Sequence, residues 1–360
     1  MVYFYPLLLL CSWFAPLHIL PWAGWHQEVM VFALVLLMGW HFLFGVGRQP
    51  SVAIPMALIP LAGLGLVATA QWLAGLVLFG GDALVLGFYL MLIGICFTVG
   101  FSLAGKLVLA GRVLLGLAVV ILLGSAGSIV IALAQVFEVW EDQSWVLRIW
   151  HVRRPGGNLG QPNHLATLLL MGLVSLNYLY EFRRLGKTLA ILLLTLLMSG
   201  LALTESRTGI LSFFLLSVWW LVKRRTVAFT VPPLVILSSG LGLIFLLWAW
   251  PQVFAFVHSG GFSDGANAEP VSTSAGARFI VWPQLVEAIL QRPWFGWGLG
   301  QVTAAHNAVL HSYSHSEPFS YAHNILLDLA VGAGLPLALL LTAAMAYWLW
   351  KRVQKVQNLA

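Results

Sequence analysis

Charge is what this sequence has least of: Asp, Glu, Lys and Arg together make up 8% of 360 residues, against roughly a quarter in a soluble domain. So little charge cannot cover a folded chain with a hydrated surface, which excludes an ordinary soluble fold. Cysteine is nearly absent. Cys11 and Cys96 each fall inside an apolar stretch, which argues against a periplasmic disulfide and a thiolate metal site, and both side chains are expected to pack. The chain has no internal repeat. It also lacks a basic region ahead of the first apolar stretch and a small-residue cleavage site after it, so an uncleaved first span is expected.

Hydrophobic residues, by contrast, make up 60% of the chain. Apolar stretches of about 20 residues, enough to cross about 30 Å of hydrocarbon, recur from Val2 to Trp350. The expected fold is all-α and polytopic. About ten spans lie near 2–20, 29–46, 53–72, 83–104, 113–136, 164–180, 188–204, 209–222, 229–250 and 323–350, with a long periplasmic loop containing short helices. A net charge of +6 invites a nucleic-acid partner, but the basic residues occur in small groups between spans, so no nucleic acid is expected.

Topology accounts for those groups. With both termini cytoplasmic, Arg48, Lys106, Arg112, Arg183, Arg184, Lys187, Lys223, Arg224, Arg225, Lys351, Arg352 and Lys355 lie inside, and Arg148, Arg153, Arg154, Arg207, Arg278 and Arg292 lie outside. This two-to-one bias obeys the positive-inside rule. Trp22, Trp25, Trp72, Trp219, Trp220, Trp248, Trp250, Trp348 and Trp350 sit near span ends and read as an aromatic belt in contact with membrane lipids.

Two connections, 137–163 and 251–322, are too long for turns, and this topology puts both outside. The longer opens with a polar stretch from Ser259 to Pro270 that is expected to be mobile. It continues into a segment from Arg278 to Leu290 with helical apolar spacing, suited to lying along the membrane surface. The chain divides accordingly into N-terminal membrane helices (1–136), a membrane core with its periplasmic loop (137–350) and a cytoplasmic tail (351–360).

Four clusters carry possible chemistry. The first runs through Arg153, Arg154, Asn158, Gln161, Asn163 and His164 into an apolar span, with Asn163 as the expected N-cap; it reads equally as a hydrophilic loop before a capped helix. The second, Thr204 to Gly209, holds Glu205 and Arg207 at a membrane boundary, where charge is costly and marks function unless the two only brace a tight turn. The third comprises Arg278 and the run from Arg292 to Gly300. The fourth is His323-Asn324 at the start of the last span, with Asp328 one turn on. A histidine there can exchange a proton near neutral pH, or can simply be structural. His306, His311, His315, Glu317 and His323 are close in sequence, but their spacing matches no strong zinc signature, so no metal and no cofactor is expected. The spans that begin after Asn163, Arg207 and Ser320 all present N-termini to the outside. Their free N–H groups, with nearby arginines, suit a pyrophosphate.

The run Gly157-Asn158-Leu159-Gly160-Gln161-Pro162-Asn163-His164 resembles the signature of bacterial protein O-oligosaccharyltransferases, the pilin glycosylation ligases, which belong with O-antigen ligases and polymerases. Ser206-Arg207-Thr208-Gly209, the Arg278 segment, Pro293 to Gly298, and His323-Asn324 with Gly332 and Gly334 are similar to the same superfamily. The resemblance implies a membrane glycosyltransferase. Its donor would be an undecaprenyl-pyrophosphate-linked glycan, and its acceptor a Ser or Thr hydroxyl of an exported protein such as pilin. It implies that His323 activates the acceptor and that Arg207 and Arg278 engage the pyrophosphate. Arg154, Asn158, Gln161, Asn163, His164 and Asn324 would bind substrate. It also implies an inner-membrane protein working at the periplasmic face; members of the family usually continue with further spans past the point that Lys351 matches, a departure in this sequence. Ligation to lipid A core, O-antigen polymerisation and, in another class, a transporter or flippase remain the competing expectations.

Overall fold

The computed structural model describes residues 5–16, 25–44, 52–104, 107–140, 143–147, 154–227, 230–259, 273–313 and 319–358. All regular structure among them is helical, as the absence of water in a bilayer core requires of a chain that must satisfy its own backbone groups. The helices are α1 (Leu8–Phe14), α2 (Trp25–Phe44), α3 (Leu58–Leu73), α4 (Gly80–Ala104), α5 (Leu107–Val136), α6 (Pro162–Glu181), α7 (Lys187–Leu203), α8 (Arg207–Val227), α9 (Pro233–Ser259), α10 (Thr273–Gln291), α11 (Val302–Val309), α12 (Ile325–Ala333) and α13 (Leu335–Asn358). Three stretches among the described residues, Gly80–Ala104, Val108–Val136 and Pro233–Val257, are each long and apolar enough to cross a membrane. Leu58–Leu73, Lys187–Leu203 and Leu335–Lys351 are shorter apolar helices. The protein is an all-α membrane protein.

The chain forms two compact units. The first comprises 1–49 with 103–266 and the second 50–102 with 267–360. In the first, α6 lies against α5, α7 and α8, and α7 packs on α9. Ile129, Leu165, Leu169, Leu197, Leu201 and Leu243 are its most deeply buried apolar side chains. Small residues permit this close packing: a Cβ at Gly172 would overlap Ser125, and one at Gly200 would overlap Ile129. The Ser125 hydroxyl donates to the Leu168 carbonyl across the α5–α6 contact at 3.0 Å. In the second unit, α10, α11 and α12 enclose Val281, Leu285, Val302, Ala305, Val309 and Val331.

Several sequence expectations change. The last span does not run from 323 to 350. It is broken at Gly334, whose φ of 81° only glycine adopts readily, so α12 stands apart from the apolar helix α13. A Cβ at Gly334 would also collide with the Trp294 carbonyl. The groups released by the break are used within the unit. Leu335 N–H donates to Pro293 O (2.8 Å), Trp297 N–H to Val331 O (2.7 Å) and Gly298 N–H to Gly332 O (3.0 Å). The Gln71 side chain of α3 donates to Phe295 O (3.0 Å) and Gly332 O (2.8 Å) and accepts from Leu299 N–H (2.9 Å). The expected ninth span continues through Pro251 to Ser259, shortening the connection that follows it. Cys11 and Cys96 are free and exposed on their helices instead of packed. Trp220 is buried, while its neighbour Trp219 keeps an outward place. The expected mobile stretch beyond Ser259, along with Trp22, Arg153, His315 and Glu317, lies outside the described residues.

Candidate functional site

The site residues of the first unit gather where α6 and α8 begin. The glycine-rich run before α6 is a packed turn: Gly157 and Gly160 take φ of 58° and 72°, and Gly160 N–H donates to Gly157 O at 3.2 Å. Gln135, at the end of α5, donates to Gly157 O (3.1 Å) and Leu147 O (2.9 Å) and accepts from Gly157 N–H (2.9 Å). Asn158 is fully buried. Its amide donates to Phe14 O and Trp145 O, both at 2.8 Å, its side-chain oxygen accepts from Leu147 N–H at 2.9 Å, and its carbonyl accepts from Gln27 at 2.6 Å. These amides therefore hold the loop together through backbone groups.

The residue that caps α6 is Gln161, in extended conformation ahead of Pro162, and not Asn163 as expected. Asn163 instead reaches α8. Its side-chain oxygen accepts from the Ser206 hydroxyl at 2.8 Å, and Ser206 in turn accepts from Gly209 N–H at 3.2 Å, the geometry of an N-cap. Thr208 Oγ1 lies 3.2 Å from the same hydroxyl. A Cβ at Gly209 would overlap Ala166, so the two helix starts are as close as the chain permits. Glu205 precedes Ser206 with a φ of 44°, making the α7–α8 connection a left-handed turn. Arg154 donates through Nε to Thr204 O at 3.1 Å; among the described residues this engages neither of its terminal amino groups. Arg207 and Thr208 are exposed in the first turn of α8, and His164 is exposed in the first turn of α6. The result is a polar rim of Arg154, Gln161, Asn163, His164 and Arg207 above a buried brace of Thr204 and Ser206.

In the second unit His323 is exposed just before α12, with a φ of 52°. Left-handed backbone is costly for a residue with a side chain, and such strain gathers at functional sites. Asn324, not His323, caps the helix, accepting from Leu326 N–H at 3.0 Å. Ala322 is buried and held at both backbone groups: its N–H donates to Asp328 Oδ1 and its carbonyl accepts from Trp282 Nε1, each at 2.8 Å. Arg278 stands in the second turn of α10, where the backbone is described. Arg292 stacks over the Trp297 ring at 4.1 Å, and Trp297 Nε1 donates to Ala288 O at 2.7 Å, so this pair pins the loop that follows α10.

His306, counted above among possible metal ligands, is fully buried. Its Nδ1 accepts from Phe319 N–H at 3.1 Å, and its Nε2 pairs with Gln284 Oε1. Among the described residues no three His, Cys, Asp or Glu side chains lie together as metal ligands. Gln71, Gln135, Trp282 and His306 were not assigned these holding roles from sequence. The two glutamines did carry a readable signal, since an amide inside an apolar span demands partners.

With this geometry in place, the relatives are informative. The chain matches the O-Antigen ligase family over residues 189–342 and the Protein glycosylation ligase family over residues 155–180. It is 24% identical over 349 residues to the General O-oligosaccharyltransferase of Acinetobacter baylyi, covering 95% of this chain and 60% of that protein. To the ComP-specific O-oligosaccharyltransferase of the same organism it is 29% identical over 217 residues, covering 57% of this chain and 37% of that one. The chain therefore spans less than two thirds of either relative. No solved structure matches it. The resemblance read from the motifs holds as a similarity to these families, and Arg207, Arg278 and His323 all fall within the stretch that matches the O-Antigen ligase family.

Proposed function

We propose that this chain transfers a glycan from undecaprenyl pyrophosphate to Ser or Thr hydroxyls of exported proteins such as pilin, at the periplasmic face of the inner membrane. The observation that carries the reading is His323, exposed in a strained left-handed backbone within the O-antigen ligase region. In the reaction the acceptor oxygen attacks the anomeric carbon as the bond from that carbon to the pyrophosphate oxygen breaks. His323 takes the hydroxyl proton, and the pyrophosphate leaves with the bonding electrons. A hydroxyl attacking near its ordinary pKa gains about 10²–10⁴-fold from such a base.

The departing pyrophosphate gains negative charge, so fixed cations aimed at it lower the barrier. Arg207, with Arg154 beside the same turn, and Arg278 on α10 supply them, each guanidinium able to hold two phosphate oxygens together. Gln161, Asn163 and His164 line the rim at the α6 start, and Asn324 shapes the His323 turn. With arginines in this role we expect the transfer to need no divalent metal. The core for this chemistry is 137–350, the helices of 1–136 support it, 351–360 is a cytoplasmic tail, and the ten-span topology with both termini inside sets the orientation.

The match over 189–342 to a family described as O-antigen ligase favours one alternative acceptor, the lipid A core or another glycan, with the same donor. The experiment that separates the two is to express the chain with a lipid-linked glycan, a candidate pilin and a lipopolysaccharide core acceptor. Glycosylated pilin supports the proposal. Modified core with unmodified pilin overturns the choice of acceptor, and transfer to neither overturns the reading as a ligase.

A further inference from the structure

Residues 319–324 are held by side chains from three helices through hydrogen bonds to backbone, and the Phe319 ring also meets the His306 ring edge-on at 5.7 Å. Phe319 N–H donates to His306 Nδ1 of α11 at 3.1 Å. Ala322 O accepts from Trp282 Nε1 of α10, and Ala322 N–H donates to Asp328 Oδ1 of α12, both at 2.8 Å. The next residue is His323 at φ 52°. A residue in this conformation persists only where its surroundings over-determine it. The preceding residue, held at both its N–H and its carbonyl, leaves His323 little other backbone freedom. His306 is fixed in turn, because Nδ1 accepts a backbone hydrogen bond and the ring must therefore donate through Nε2 to Gln284 Oε1. Gln284 is fully buried and its Nε2 has no partner among the described residues, which leaves its oxygen committed to His306.

We infer that Trp282, Asp328 and His306 are positioning residues for His323, setting the direction of its imidazole through the backbone of 319–323; the inference rests on His323 being the base proposed above. Asp328 acts here as a hydrogen-bond acceptor, a task that an asparagine oxygen can also perform. Trp282 acts as a donor, a task that phenylalanine cannot.

The test is transfer kinetics at matched membrane level with the full chain and lipid-linked donor, comparing Asp328→Asn, Asp328→Leu, Trp282→Phe and His323→Ala. Loss of positioning lowers kcat by about tenfold or more in Asp328→Leu and Trp282→Phe, because a small misplacement of a reacting group is costly, while donor KM stays near that of the parent. Asp328→Asn recovers most of the turnover. Hydrogen exchange at the Ala322 amide accelerates in Asp328→Leu and not in Asp328→Asn, which gives a readout that does not depend on activity. If His323→Ala is inactive but Asp328→Leu and Trp282→Phe turn over like the parent, the positioning inference is overturned and the proposed base stands. If His323→Ala itself keeps near-parent turnover, the proposed base falls, and only the hydrogen-exchange result then bears on the clamp.

Discussion

Replacing His323 by glycine and by alanine separates a residue kept for chemistry from one kept for packing. At φ 52° any side chain meets the left-handed penalty, about 1–2 kcal/mol for an L-residue. Glycine removes that penalty but loses roughly 0.5–1 kcal/mol through the freedom it gains in the unfolded chain, for a net gain of roughly 0–1.5 kcal/mol. Alanine keeps the Cβ and the strain, and at an exposed position it should stay within about 0.5 kcal/mol of the parent. Both variants lose the imidazole, so both should lose about 10²–10⁴-fold in turnover. The barrier rises by about 2.7–5.4 kcal/mol, several times larger than the stability change and opposite in sense for glycine. The assay pairs glycan transfer, at matched protein level, with thermal unfolding in a single detergent. The expected order of midpoints is glycine at or above parent and parent close to alanine, with both variants nearly inactive. A glycine variant within tenfold of parent turnover would refute the assignment of the base, and one that melts clearly below alanine would refute the left-handed backbone at 323.

The remaining predictions address the cations, the topology and the buried brace. Arg207→Lys and Arg278→Lys should each lose most transfer activity, because an ammonium cannot reproduce the two-pronged contact with phosphate, while dialysis against a chelator leaves the parent active; abolition by chelator with rescue by magnesium or manganese would overturn this assignment. Cysteines placed at Thr208 and Arg224, near opposite ends of α8, in a background lacking Cys11 and Cys96, should be labelled from the periplasm and the cytoplasm respectively, and labelling at 224 from outside would invert the orientation. Asn158→Ala removes a fully buried side chain and leaves three part-buried backbone groups without their partner, a loss on the order of 1–3 kcal/mol, so the protein should accumulate less than the parent. Gln161→Ala, on the rim, should accumulate normally and show its effect in turnover.

The membrane class, most of the helix positions and the resemblance to the O-antigen ligases were legible in the sequence because each depends on local signals. Apolar runs have a length fixed by the bilayer, and the motif from Gly157 to His164 is contiguous. Legibility failed wherever a polar group finds its partner far along the chain. Asn158 reads as a ligand-facing amide in a glycine-rich loop, yet its partners are carbonyls at Phe14 and Trp145. Asn163 looks like a helix cap, but Pro162 at the first helical position gives that place to Gln161 and frees Asn163 to bind Ser206, 43 residues away. The last span reads as continuous because Gly334 is one small residue in an apolar run. Only the fit of Pro293 to Leu299 against the break shows why the helix stops there.

The break bears on the choice between a ligase and a transporter. Transporters use interrupted helices to expose unpaired backbone to a cargo in a cavity near the middle of the bilayer. At Gly334 the groups given up by α12 and α13 are paired instead with the 293–299 segment and with Gln71, so the interruption is sealed by protein. Its effect is to end α12 before α13 begins, with His323 a full nine-residue helix, about 13 Å of rise, ahead of the break. That distance suits a base that must meet a hydroxyl carried by a water-soluble acceptor while the donor remains tied to the bilayer by its lipid. It ill suits a residue whose task is to pass a solute across the hydrocarbon. Filling the break with Gly334→Ala, where a Cβ would strike the Trp294 carbonyl, should therefore abolish transfer by displacing the α12–His323 arm, even though the substitution leaves every proposed site side chain in place.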